Sequence, residues 1–167
     1  MTLLVGLIAD THDHLPMVRA AVRALNHEGV ELVLHAGDFI APFVLPELMK
    51  LRASFIGVFG NNDGDRELLK KKASERDRFE IRGGFASISL NGIQIALLHG
   101  HESDLLKSLL RQGAFDLVVY GHTHRLDTTH HGKTLVVNPG EVCGYLSGTS
   151  TIAVYDTNTS EIDIIEL

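Results

Sequence analysis

Apolar and polar positions along this chain fall into alternating strand-like and helix-like stretches. Leu3 to Ala9 is a nearly unbroken apolar run that ends in Asp10, the pattern of a strand covered on both faces. Pro16 then sits where a first helical turn tolerates it, and Val18, Ala21, Val22 and Leu25 recur at helical spacing before Gly29. Leu32 to His35 is a second buried strand, ending at Gly37-Asp38. Phe43 to Leu51 is read as a helix. Phe55 to Phe59 is a third strand, followed by Gly60-Asn61-Asn62-Asp63 and a charged helix over Arg66 to Ser74.

The second half reads differently. Phe85–Leu90 and Ile93–Leu98 flank Asn91-Gly92, a dipeptide whose residues both accept positive φ and which therefore signals a hairpin. A helix from Ser103 to Gln112 and a strand from Leu117 to Tyr120 follow. Strands are then expected at 126–131, 134–137, 151–155 and 162–166. The order is βαβαβα and then mainly antiparallel strands. This predicts one α/β domain over residues 1–167, built as a two-sheet α/β sandwich flanked by helices, the arrangement that buries both halves together.

Composition narrows the class. The chain has 167 residues, 44% hydrophobic and 22% charged, as a globular domain requires. Its one cysteine, Cys143, excludes an internal disulfide and a thiolate-rich zinc site. A net charge of −6 argues against non-specific nucleic-acid binding. No apolar run reaches the ~20 residues that span a bilayer. The stretch 1–9 lacks the basic leader of a signal peptide, so the expected location is the cytoplasm, away from membranes.

Ten histidines stand out, and where they fall matters more than their number. Asp10 and His12 follow the first strand, Asp38 the second, Asn61 the third, His99 the hairpin's second strand, and His122 and His124 the next. In open α/β sheets ligands bind beyond the carboxyl ends of strands. Any one Asp-x-His or His-x-His is weak. Their joint occurrence at five strand ends predicts a metal centre. Two carboxylates, an amide oxygen and four imidazoles suit Mn²⁺, Fe²⁺, Zn²⁺, Co²⁺ or Ni²⁺. Seven donors exceed one tetrahedral ion and fit two cations sharing a carboxylate, a pair that activates water against phosphoryl groups.

At these blocks, Asp10-Thr11-His12, Gly37-Asp38, Gly60-Asn61-Asn62-Asp63, His99-Gly100-His101 and Gly121-His122-Thr123-His124, the chain resembles the calcineurin-like metallophosphoesterase superfamily, in particular its small YfcE-like phosphodiesterases. The resemblance implies one cation held by Asp10, His12, Asp38 and His124, and a second held by Asp38, Asn61, His99 and His122, with manganese the first expectation. It implies hydrolysis of a small phosphate ester by in-line attack of a metal-bridging hydroxide. The catalytic candidates are Asp38, Asn62, Asp63 and His101. Relatives form dimers or tetramers, which makes a homo-oligomer an expectation. Two departures matter. Where many members have histidine after the metal-binding asparagine this chain has Asn62, which is no general acid and favours diesters over monoesters. Where they have serine after Asn-Pro-Gly it has Glu141.

Simpler readings apply to other residues. His14 is expected to be an exposed loop side chain, His35 a hydrogen-bonded core histidine, and Cys143 a small buried residue with no base beside it. Lys70-Lys71-Lys72 is read as a solvated helix face, and His27, His130 and His131 as surface. Two other functions compete. One is a phosphomonoesterase or nucleotide phosphatase. The other is a protein-binding scaffold like the retromer subunit of this fold, whose metal site is degraded. Retention of all four histidine positions favours an enzyme.

Overall fold

The computed structural model describes residues 3–167, so the first two residues of the apolar N-terminal stretch lie outside it. Among the described residues two sheets stack face to face. The first has six strands in the order β11 (Ile162–Glu166), β10 (Thr151–Asp156), β1 (Leu4–Ile8), β2 (Leu32–His35), β3 (Ser54–Gly57) and β4 (Phe79–Ile81). The second has five: β5 (Phe85–Leu90), β6 (Ile93–Leu98), β7 (Leu117–Val119), β9 (Thr134–Pro139) and β8 (Leu126–His131). This is the predicted α/β sandwich.

Alternating side chains explain the layers. Val5 and Leu7 of β1 and Leu32 and Leu34 of β2 point between the sheets, where they meet Ile95, Leu97, Leu117 and Val119. The intervening Ile8 and Val33 point outward against α1 (Leu15–Glu28), whose apolar stripe is Val18, Ala21, Val22 and Leu25. Both faces are covered, so the strands carry continuous apolar runs. Ala96, Leu98 and Val118 on the outer face of the second sheet take Leu109 of α4 (Ser103–Gln112).

Several expectations are corrected. The helix read over Phe43 to Leu51 is a 3₁₀ turn at Pro42–Val44 followed by the single-turn α2 (Leu45–Leu48). Pro42 and Pro46 have no N–H to donate, so no long helix can run through them. The third strand begins at Ser54 and ends at Gly57, short of Phe59, because the chain already turns toward the site. Strand β4 was not anticipated. Three residues of edge strand carry too little pattern to read, although Phe79 stacks on Phe55 of β3 at 5.0 Å. The later strands are mainly antiparallel, as expected, in β5–β6, β8–β9, β10–β11 and the return of β10 beside β1, while β6–β7 and β7–β9 pair in parallel. The helix α3 spans Arg66–Ala73, with its N-terminus capped by the Asp65 carboxylate accepting from Leu68 N–H.

Register sets the site. Ile8 is level with His35, and His35 with Gly57, so β1, β2 and β3 release their chains at one height. Leu97, Val119 and Val137 are level in the second sheet. The loops after five strands therefore share one rim.

Candidate metal centre

The strand-end loops are locked to one another by backbone bonds: Asp10 N–H donates to Gly37 O (3.0 Å), His12 N–H to Asp38 O (3.1 Å) and Gly121 N–H to His99 O (2.9 Å). The turns are sharp. Asp10, His12, Asp38, His122 and His124 all have positive φ, between 41° and 69°. Left-handed backbone at non-glycine residues is unfavourable and concentrates at functional sites. Two glycines make the convergence possible. A Cβ on Gly60 would lie 2.1 Å from Asp38 Oδ1, and one on Gly121 would lie 2.8 Å from Asp10 Oδ2.

The side chains meet around two buried carboxylates. His12 Nε2 lies 3.3 Å from Asp38 Oδ2 and 3.7 Å from Asp10 Oδ1. His99 Nε2 lies 3.3 Å from the same Asp38 oxygen, and His124 Nε2 lies 3.4 Å from Asp10 Oδ1. The rings of His99 and His122 are 5.1 Å apart, and His101 stands 6.1 Å from His122 on the exposed rim. Asn61 is exposed on the turn that follows β3. The structure thus gathers Asp10, His12, Asp38, His99, His122 and His124, with His101 on the exposed edge beside His99 and His122.

Three buried polar side-chain atoms have no hydrogen-bond partner among the described residues: Asp10 Oδ1, His12 Nε2 and His99 Nε2. Buried polar groups are almost always satisfied, so each exception needs a reason. Here all three exceptions lie in one cluster of anionic oxygens and imidazole nitrogens. That donor set fits divalent cations. Asp10, His12 and His124 form one group of converging donors and Asp10, Asp38 and His99 another.

Electrostatics follow from the crowding. The neighbouring carboxylates of Asp10 and then Asp38 raise the pKa of His12 to about 9, although burial opposes it. Burial works against ionisation of Asp38, but His12, His99 and Asn62 outweigh it and hold its pKa below the ordinary carboxylate range. Burial, reinforced by the charge of His99, lowers His122. An exposed rim nitrogen that stays neutral is available as a ligand.

Two catalytic candidates are reassigned by their partners. Asp63 is buried, and its carboxylate accepts from Asp38 N–H (3.1 Å), Gly60 N–H (2.7 Å) and Ile40 N–H (2.8 Å). It holds the two loops together and does not face the cluster as a proton donor. Asn62 is turned onto Asp38, with its backbone N–H to Oδ1 (3.0 Å) and its Nδ2 to Oδ2 (2.8 Å). His14 is half-buried rather than a free loop side chain, and its Nδ1 lies 3.0 Å from Cys143 O. His35 is a core histidine. Its Nδ1 accepts from Gly37 N–H (3.0 Å), its Nε2 meets Thr11 Oγ1 (3.1 Å), and it stacks on Phe39 at 3.8 Å.

Glu141 was missed. It is fully buried behind His124, with Oε2 2.5 Å from His124 Nδ1 and 3.0 Å from Cys143 Sγ. Cys143 therefore does have a carboxylate beside it. Burial and that carboxylate push its thiol up to about 12, which keeps it protonated and inert. The only sequence signal for Glu141 was its departure from serine after Asn-Pro-Gly.

Parallel strands delivering oxygen and imidazole donors to one sandwich rim define a metal-dependent hydrolase site. Residues 3–160 match the calcineurin-like phosphoesterase superfamily domain, and the chain belongs to that superfamily. It is a phosphoric ester hydrolase. It is similar to phosphodiesterase MJ0936 of Methanocaldococcus jannaschii, with 41% identity over 157 residues, 94% of this chain and 95% of the relative. It also superposes on a solved archaeal phosphodiesterase with TM-score 0.94 and 40% identity, covering 99% of this chain and all of that one. The phosphoesterase YfcE from E. coli shares the fold, with TM-score 0.73 and 20% identity over 98% of each chain.

Proposed function

We propose that this chain is a phosphodiesterase that works with two divalent cations, manganese first among the candidates. The observation that carries the reading is the set of unpartnered buried atoms, Asp10 Oδ1, His12 Nε2 and His99 Nε2, gathered around the Asp38 carboxylate. Asp10, His12 and His124 would hold one cation and Asn61, His99 and His122 the other, with Asp38 shared. Such a pair acidifies water and neutralises the charge that develops on phosphoryl oxygens.

The remaining work falls to the chain itself. Glycines at 60 and 121 let the loops close on the carboxylates. Asp63 fixes the backbone on either side of Asp38. Asn62, hydrogen-bonded to Asp38, keeps that carboxylate oriented and leaves no imidazole on this turn to protonate a leaving group. His101, exposed beside His99 and His122, would contact the ester or its leaving oxygen. The absence of an acid at position 62 supports diesters with good leaving groups over monoesters, and the names of the similar archaeal proteins point the same way.

The test is hydrolysis of bis(p-nitrophenyl) phosphate against p-nitrophenyl phosphate by manganese-loaded protein. The diester should turn over faster, and Asp38→Asn should abolish the rate. Failure to bind metal, or full activity in Asp38→Asn, would refute the proposal, and a faster monoester would reassign the substrate class.

A further inference from the structure

The two sides of the cluster are anchored differently. On one side, His99 Nδ1 meets the backbone carbonyl of Ala36 at 2.7 Å, a neutral acceptor, and its neighbour His122 is exposed. On the other, His124 Nδ1 meets the Glu141 carboxylate at 2.5 Å, and both residues are buried. A proton on Nδ1 donated to Glu141 leaves the Nε2 lone pair facing Asp10 Oδ1, 3.4 Å away.

Glu141 is itself held from behind. Its second oxygen accepts from Leu146 N–H (2.9 Å), Ser147 N–H (2.5 Å) and Ser147 Oγ (2.7 Å). The carboxylate cannot swing away without breaking these bonds. Its other oxygen, which also accepts from Cys143 Sγ (3.0 Å), fixes the tautomer and orientation of His124. A carboxylate behind an imidazole ligand also makes that ligand more basic, and its loss typically weakens metal affinity about 10–100-fold.

We propose that Glu141 is a positioning residue for His124 and makes the Asp10–His12–His124 side the tighter of the two cation positions. The proposal rests on the metal-binding reading above and adds an order of affinity to it. Burial acts in the same direction, since Asp10 and His124 are enclosed while Asn61 and His122 stand in solvent.

Calorimetric titration of metal-stripped protein with Mn²⁺ tests it. Wild type should show two steps, and His124→Ala should lose the tighter one. Glu141→Gln keeps an oxygen for the His124 N–H but removes the charge, and should weaken the tighter step about tenfold; Glu141→Leu removes both and should weaken it about 100-fold. The weaker step should stay within twofold in both variants, and Cys143→Ala should change neither. A purely structural role would weaken both steps together and remove the grading between the two variants. Should Glu141→Leu fail to fold, Glu141→Gln decides. Unchanged tight binding in Glu141→Gln, or parallel weakening of both steps, would overturn the role of Glu141. A wild type that takes up no cation would overturn the metal-binding reading itself.

Discussion

Replacing Asp63 by asparagine changes one carboxylate oxygen to an amide group at almost constant volume. In the native chain Oδ2 accepts from both Asp38 N–H and Gly60 N–H, while Oδ1 accepts from Ile40 N–H. The better of the two asparagine orientations keeps its oxygen on the first pair and turns its NH₂ toward Ile40 N–H. One buried donor is then unsatisfied, at a cost of about 1–3 kcal/mol. Asp63→Ala orphans three donors and should cost roughly 3–6 kcal/mol after relaxation, a large part of a typical total of about 5–15 kcal/mol. For a domain of this size each kcal/mol moves the melting temperature about 2–4 °C. Urea denaturation and thermal melting of the metal-free protein read the effect directly. The expected result is a graded loss of stability, Asp63→Ala beyond Asp63→Asn, with metal affinity falling alongside. If Asp63→Asn melts like wild type yet loses activity as completely as Asp38→Asn, the carboxyl takes part in the reaction and the reasoning here is wrong.

Other outcomes follow from the same geometry. Gly60→Ala drives a Cβ to 2.1 Å from Asp38 Oδ1 and 2.7 Å from Asp38 N, part of which is backbone, so metal uptake by calorimetry should be lost even where the protein still folds. Without metal, stability should peak near pH 6.5. His35, held down to about 3 chiefly by burial, stays neutral when folded, so stability falls as pH drops below 6.5, by at most about 1.4 kcal/mol per pH unit. His12, raised to about 9 by Asp10 and Asp38, adds stability below 6.5 that is lost as pH rises through 9. Urea midpoints across that range check both, and a steady rise to alkaline pH would rule out the His12 pairing. Adding Mn²⁺ at 100 times its Kd should stabilise by about 2.7 kcal/mol per site, raising the melting temperature by roughly 5–10 °C, and excess chelator should reverse the shift.

The strands of the first half were legible because they are buried on both faces, and unbroken apolar runs such as Leu32 to His35 follow directly from that burial. The hairpin at Asn91-Gly92 was legible from the positive φ both residues adopt, 51° and 83°. The donor residues were legible because each follows a strand, and the parallel strands β1, β2 and β3 of one sheet and β6 and β7 of the other carry their C-terminal ends to one rim. What failed was local and short. The prolines at 42 and 46 split an apolar stretch that otherwise reads as helix, and β4 is too brief to show a period.

The sequence by itself determined which chemistry the chain carries, since aspartate, asparagine and histidine recur at those strand ends. Tertiary structure alone decided which of those groups face the cluster and which support it. Asp63 and Asn61 are two residues apart, yet one is buried on three amides and the other is exposed. Glu141, 17 residues from His124 in sequence, reaches it because β9 returns beside β7 and carries its end to the same rim. Hydrogen-bond partnership depends on where chains meet in space, and no spacing along one strand encodes it.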